Sequence, residues 1–542
     1  MIKRIPLFVI LLISSMMVFV SGCTKTDKDT HSLVKYNVGK APKTIDPQLS
    51  TSGNAANITN MCMQGLLING QVEGEILPGV AKSWTVSKDG LVWNFKLRHN
   101  AKWSNGERVT AHDFNYALKR ALEPATAAQN AYMLYNIKNS KEYNQGKIKD
   151  YSQVGVKVLH DYELEITLAN PVPYFAQLIT NSIALPLNEK FYKTVTSQYC
   201  LSADKMLFNG PYIIKDFIPN GKYTFEKNPH YWNELNISIK NINFLIVNNY
   251  NTAANMFKTQ GLTMTKIKGP QLPQFKNSKE LKITPNGGVA YLMLNTKSKY
   301  FKNANIRRAI GWAINRKAYC DNILKDGSEP AFAFVPPGIS GGKVDGKLIT
   351  FRKRYGMDLF NYDAIKAKVM YQKGLKELGI KNSDVKIKLL SSNDSSSMRN
   401  CQFIQQQLFQ NIGLNIILEP NTWQGELSKV SQNDFDFCFT EWLPDYNDPA
   451  TFLNLWVGGQ RQNNTQWNNA DYNKYIKLAK STSDNNIRMK AMHNAEVILM
   501  ADMPVIPLNF GVNCYLIQPW LEGVVLQSAA TVLKFNWAHV KK

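Results

Sequence analysis

No apolar stretch after Cys23 in this 542-residue chain is long enough to span a bilayer as a helix. What precedes Cys23 reads as a bacterial lipoprotein signal. Lys3 and Arg4 open it, Leu7 to Val20 is apolar apart from Ser14 and Ser15, and Val20-Ser21-Gly22-Cys23 places small residues ahead of a cysteine. That apolar run has the length of a signal core, not of a membrane helix. Lipidation is therefore expected at Cys23, where two or more acyl chains would hold the mature chain stably on the outer face of the cytoplasmic membrane. The polar stretch Thr24 to His31 reads as a flexible tether.

The remaining 500 or so residues can bury a large core and should divide into two to four structural units. Apolar residues make up 44% of the chain and charged ones 19%, the balance of a soluble globular protein. The net charge is +23, and +21 once Lys3 and Arg4 leave with the signal. Nucleic acid is the usual partner of such a charge. Here the basic residues are scattered and the address is extracytoplasmic, so anionic headgroups and wall polymers are the expected counter-surface. Six cysteines follow Cys23: Cys62, Cys200, Cys320, Cys401, Cys438 and Cys514. None form a CxxC or a zinc-like cluster, and most have apolar neighbours. Mostly free, buried thiols are expected, with a disulfide left open.

Periodicity points to an α/β chain. Leu91, Trp93, Phe95 and Leu97 alternate with Val92, Asn94, Lys96 and Arg98, the period of a half-buried strand. Thr110-Ala111-His112-Asp113 opens a helix, Phe114 to Leu122, ahead of Pro124. Helices are predicted over Asn303 to Leu324, Asp363 to Leu378 and Ser396 to Ile412, and a strand over Leu414 to Leu418.

Catalytic patterns are weak. There is no GxSxG, HExxH or Walker loop. Ser32 to Lys35 and Ser202 to Lys205 match SxxK, and Ser483-Asp484-Asn485 matches SDN, but KTG is missing. The seven histidines (His31, His99, His112, His160, His230, His493, His539) are dispersed, with none four positions from another. No cofactor or metal is expected.

A different series runs in order along the chain. Thr44-Ile45-Asp46-Pro47 comes first, then Leu77-Pro78-Gly79-Val80-Ala81-Lys82-Ser83-Trp84 and Trp103-Ser104-Asn105-Gly106-Glu107. Asn209-Gly210-Pro211-Tyr212 and Lys227-Asn228-Pro229-His230-Tyr231-Trp232 follow. Next stand Leu294-Asn295-Thr296, Ile306-Arg307-Arg308-Ala309, Ala313-Ile314-Asn315-Arg316 and Val335-Pro336-Pro337-Gly338. Trp442-Leu443-Pro444-Asp445-Tyr446-Asn447-Asp448-Pro449 and Pro504-Val505-Ile506-Pro507-Leu508 complete it. The series resembles the oligopeptide-binding proteins, the peptide/nickel class of extracytoplasmic solute-binding subunits of ABC importers, over roughly residues 33 to 540.

The resemblance implies a periplasmic-binding-protein-like α/β fold, two lobes with a hinge plus an extra domain. Domain I would take 32–63, 186–286 and 506–542, domain II 64–185 and domain III 287–505. Crossing segments near Asn286 to Ala290 and Met503 to Leu508 would form the hinge, with Gly287 and Gly288 in it. It further implies a peptide held by added-strand pairing with Thr51-Ser52-Gly53 and Glu441-Trp442-Leu443. Asp445 would take the peptide's α-ammonium, and Trp423 would line a pocket. Relatives that clamp a peptide carboxylate carry arginine where Phe439 stands and a second basic residue where Val430 stands. The cysteine pair of some relatives falls on Gly288 and Leu443, so that disulfide is not expected. The expected partners are an oligopeptide, an ABC permease and, through the lipid, the membrane. The chain is expected to be monomeric and to perform no chemistry. A nickel chelate, haem or sugar on the same fold stays open as the ligand, and a wall-acting enzyme is the remote alternative.

Overall fold

The strand Leu33–Asn37 buries Val34 and Tyr36 in the middle of a large sheet, pairing in parallel with Asn241–Leu245 on one side and Met264–Ile267 on the other. The computed structural model describes residues 33–528 and 533–541; the signal, Cys23 and the tether lie outside them. The sheet has eleven strands. In space their order is Ile417–Asn421, Lys388–Ser392, Phe437–Trp442, Leu281–Leu294, Val505–Ile517, Met264–Ile267, Leu33–Asn37, Asn241–Leu245, Lys222–Lys227 and Tyr212–Ile218, with Glu329–Pro330 paired to Val505–Ile517 off this path.

The two central strands are 14 and 13 residues long, more than twice the usual strand. They are antiparallel, and each belongs to two lobes in turn. Val289 to Leu294 and Val505 to Phe510 sit in one hydrophobic core, whereas Tyr515 and Ile517 join the core of Val34, Phe244 and Met264. Their pairing slips between Pro285 and Val289, and Gly287 lies in that irregularity with φ +74°. The change of core on the second strand falls after Phe510, beyond the Met503 to Leu508 segment.

A smaller four-stranded sheet runs Ala81–Val86, Val92–Leu97, Glu163–Thr167, Val156–His160. Trp93, Phe95 and Leu97 face inward, as the alternation predicts, and the helix Ala111–Leu122 contributes Phe114, Ala117 and Leu118 to the same core. This core is continuous with that of Val34 and Phe244, so the first two expected units share one interior while residues 289–510 have their own.

Most of the ordered motifs act as fasteners. Asp46 accepts two hydrogen bonds from Arg120, at 2.8 and 2.6 Å, tying the first lobe to the helix Ala111–Leu122. Asn209 exchanges side-chain bonds with the backbone of Gln64, whose amide nitrogen donates to the Tyr231 hydroxyl at 2.7 Å and whose amide oxygen accepts from Trp232 Nε1 at 2.5 Å. Arg307 spans Phe301 O and Asp502, and Arg316 donates to the carbonyls of Pro507, Gly311 and Ile314. Glu496, fully buried, accepts from the backbone of Phe334 and Val335 and pairs with Arg352.

Two predicted elements differ. The helix expected over Asn303 to Leu324 is Ala304–Ala313, capped by Asn303; Asn315 then caps a new turn, Arg316–Tyr319. The break lets Arg316 turn inward to those three carbonyls. The strand expected from Leu414 starts at Ile417, because Gly413 and Leu414 are spent on ending the helix Ser395–Ile412. The six described cysteines are all buried and unbonded to one another. Burial pushes their thiols upward, Cys401 to about 11 and Cys320 and Cys514 to about 12.

Candidate functional site

Phe437–Trp442 pairs along its whole length with Leu281–Leu294 on one edge. On the other it meets Lys388–Ser392 only at Phe437 and Cys438. From Phe439 to Trp442 the outer edge has no strand partner among the described residues, which is a ready template for an added strand. Glu441 and Leu443 are exposed there. The cleft walls around Glu441 push its carboxyl above the usual range, against a hydrogen bond from Asn286 and the charge of Lys268.

Beyond Leu443 the chain enters a tightly held loop. Tyr446 stacks on Tyr174 of the opposite lobe, ring centroids 4.7 Å apart and planes 3° from parallel. Asn447 accepts from Ser340 N at 2.7 Å and donates to Glu73 at 2.6 Å. Asp448 takes both guanidinium ends of Arg488, at 2.8 and 2.5 Å, and caps the next helical turn through Ala450 N. Asp445 N donates to Thr451 Oγ1 at 3.2 Å, which fixes the backbone and leaves the carboxylate free to point into the cleft.

Among the described residues that carboxylate has one polar partner, the hydroxyl of Tyr132 across the cleft at 3.3 Å. This is long for an O–H···O bond. Burial raises the Asp445 carboxyl above its usual range and the Tyr132 contact lowers it only in part. No cation lies within ion-pair distance of it among the described residues, in contrast to Asp46, Asp448 and Glu496.

A cavity of about 750 Å³ opens beside Asp445, walled by Tyr132, Tyr174, Trp442 and Asn454, with Lys477 and Lys480 on its rim. A much smaller one, about 60 Å³, lies on the other side of Asp445 and Asn447, against Ala56 and Asn60 of the helix Gly53–Cys62.

The structure thus brings Glu441, Trp442, Leu443 and Asp445 onto one strand end and loop. Thr51, Ser52 and Gly53 are exposed at the start of the helix whose next turns reach this loop. Gly53 is already helical and Ser52 is its cap, accepting from Ala55 N, so the extended stretch there ends at Ser52. Trp423, 54% exposed, starts the helix Trp423–Ser431 and does not line the cavity at Asp445. Gly287 and Gly288 lie beneath the Asp445 loop: a Cβ on Gly287 would meet Ser528 O at 2.9 Å and Pro444 Cγ at 3.0 Å, and one on Gly288 would meet Leu443 at 2.6 Å. Phe439 and Val430 pack against the core of residues 289–510.

Sequence reasoning missed Tyr132, Tyr174 and Arg488. Tyr132 is 313 residues from Asp445 and sits in the short 3₁₀ segment Gln129–Leu134, where apolar periodicity carries no signal.

Residues 75–464 match the bacterial extracellular solute-binding proteins, family 5, middle region. The chain is 31% identical to the oligopeptide-binding protein OppA of Bacillus subtilis over 96% of its own length and 95% of the relative's. It is 32% identical to the dipeptide-binding protein DppE of the same organism, over 95% and 93%. Among solved structures, peptide-bound OppA of Listeria monocytogenes superposes with a TM-score of 0.75 at 31% identity, covering 94% of this chain and 99% of that one. The Haemophilus influenzae OppA complex with RPPGFSPFR gives 0.75 at 27%, covering 95% and 100%. With its lobes, its crossing strands and the profile match over most of its length, the chain belongs to the bacterial extracellular solute-binding proteins, family 5, and is a solute-binding protein rather than an enzyme.

Proposed function

We propose that this protein captures oligopeptides in the cleft at Asp445 and hands them to an ABC import permease, tethered to the outer face of the membrane by lipid on Cys23. The observation that carries the reading is the Asp445 carboxylate, desolvated and, among the described residues, without a cation, just past a strand edge that none of them pairs. A peptide supplies both missing partners. Its backbone extends the edge at Glu441-Trp442-Leu443, with the extended residues Thr51 and Ser52 as the facing segment, and its α-ammonium meets Asp445. Side chains stay outside the hydrogen bonding, which permits many sequences. The relatives named for oligopeptide and dipeptide binding support this reading.

The test is calorimetry with a short peptide and its N-acetylated form. Asp445→Asn is expected to weaken the free-amine peptide by roughly 2–4 kcal/mol, about 30- to 1000-fold in Kd. Acetylation should cost the wild type a similar amount and the variant little, because the partner has already gone. An acetylation penalty unchanged in the variant would overturn the assignment of Asp445. Native mass spectrometry of the purified protein, showing haem, a metal chelate or a sugar in place of heterogeneous peptides, would overturn the ligand class.

A further inference from the structure

The cavity beside Asp445 contains more charge than an α-ammonium can balance. Asp445 is its acid, and Arg488, though it lines the wall, is spent on Asp448. Lys477 and Lys480 remain. They stand three apart on the helix Ala470–Ser481, hence on one face. Both line the cavity, and neither has a hydrogen bond or a carboxylate partner among the described residues. Lys480 is exposed on its helix and borders the cavity, and the partial desolvation there lowers its ammonium below the usual range. The buried Trp442 indole N–H and Asn454 Oδ1, on the same wall, also lack partners among the described residues.

The position of the cavity decides which part of a ligand could fill it. Its lining comes from residues between Tyr132 and Leu178 on one lobe and from Trp442, Asp445 and residues further along the chain on the other, with none from Phe437 to Glu441. A peptide whose amine sits at Asp445 and whose backbone follows the free edge runs back along Phe439 to Trp442, away from this space. The side chain of its first residue is the group left beside the cavity. Once the α-ammonium has neutralised Asp445, two cations remain there without a counter-charge.

We propose that Lys480, with Lys477 beside it, selects peptides whose first residue carries an acidic side chain, the carboxylate entering the cavity while the α-ammonium rests on Asp445. The proposal rests on the peptide-binding reading above, and its test separates the two.

The experiment is calorimetry with Glu-Ala-Ala and Gln-Ala-Ala, alike in shape and different by one charge, on wild type, Lys480→Met and Lys477→Met/Lys480→Met. Wild type is expected to prefer the Glu peptide by roughly ten-fold, the scale of one charge-assisted hydrogen bond. Lys480→Met should remove most of that preference and the double variant all of it, with affinity for Gln-Ala-Ala changed less than three-fold. The lysines are on the surface of a helix, and unaltered circular dichroism with retained Gln-Ala-Ala binding shows the variants folded. Equal wild-type affinities for the two peptides, or a preference that survives the double variant, overturn the lysine assignment while leaving peptide binding intact. Binding of neither peptide, nor of a mixed tripeptide library, overturns both.

Discussion

Asp445 and Asp448 stand three positions apart on one loop and have opposite fates. Asp448 is buried with a bidentate arginine and a capped helical turn, so its charge is fully answered within the chain. Asp445 has, among the described residues, only a long bond from a tyrosine. The physics of a truncated buried pair makes the contrast measurable. Arg488→Met leaves Asp448 charged and unpaired, and should lower the unfolding free energy by about 3–5 kcal/mol. Asp445→Asn in ligand-free protein should cost nothing or stabilise slightly, because the native state holds that carboxyl above its usual range. Urea denaturation of both variants at pH 7 checks the pair; equal losses would mean that Asp445 is a structural acid. Of these roles the sequence motif shows only the acids. Arg488 lies 40 residues from Asp448, and nothing in local spacing connects them.

At the scale of elements, what was legible followed from uniform surroundings. Val92–Leu97 has one wet and one dry face along its length, and its alternation is visible. Leu281–Leu294 was illegible as one strand, because it crosses between lobes and its burial changes midway, from exposed or half-buried to buried. The Pro285-Asn286-Gly287-Gly288 stretch in its middle also reads as a breaker. Helix caps are a second case where sequence shows the pattern and hides the energetics. Asp113 completes the capping box with Thr110, accepting from its backbone N–H at 2.7 Å. Desolvation by burial nevertheless raises its carboxyl to about 6. A folded value above the unfolded one means the associated stability is fully present below the ordinary aspartate range and lost as pH rises through about 6. Between pH 4 and 7 the wild type should therefore lose about 2–3 kcal/mol relative to Asp113→Asn. Parallel urea titrations of the two proteins would show converging stability curves toward acid; parallel curves would refute the shift.

For the whole molecule, the motif series revealed the family while most of its residues turned out to brace the lobes rather than touch the cleft. Asp46, Asn209, Arg307 and Arg316 are interior fasteners, and Val335 of another motif is held by Glu496 from outside the series. Their work is to hold the lobes in shape, and the proposed specificity rests instead on residues of the cavity walls. The cleft is closed on one side by two strands that pass without interruption between lobes, with an irregularity where they cross. We infer bending there, with Gly287 among the residues that move, since positive φ and close approach concentrate at that point. Small-angle scattering should record a smaller radius of gyration on saturation with peptide, and Gly287→Val, which cannot pack beneath Pro444, should weaken binding and blunt the change. An unchanged radius with confirmed binding would refute bending at the crossing.

The six buried thiols have a bearing on how such a chain is made. A protein that crosses the membrane unfolded must find its native state in whatever redox surroundings it meets outside. Here every described cysteine is a small core residue, unbonded and with its ionisation suppressed. Among the described residues folding needs no disulfide to form, and once packed the core offers oxidants no thiolate to attack. Before packing, the same six thiols are open to oxidation, so the architecture suits maturation in reducing surroundings.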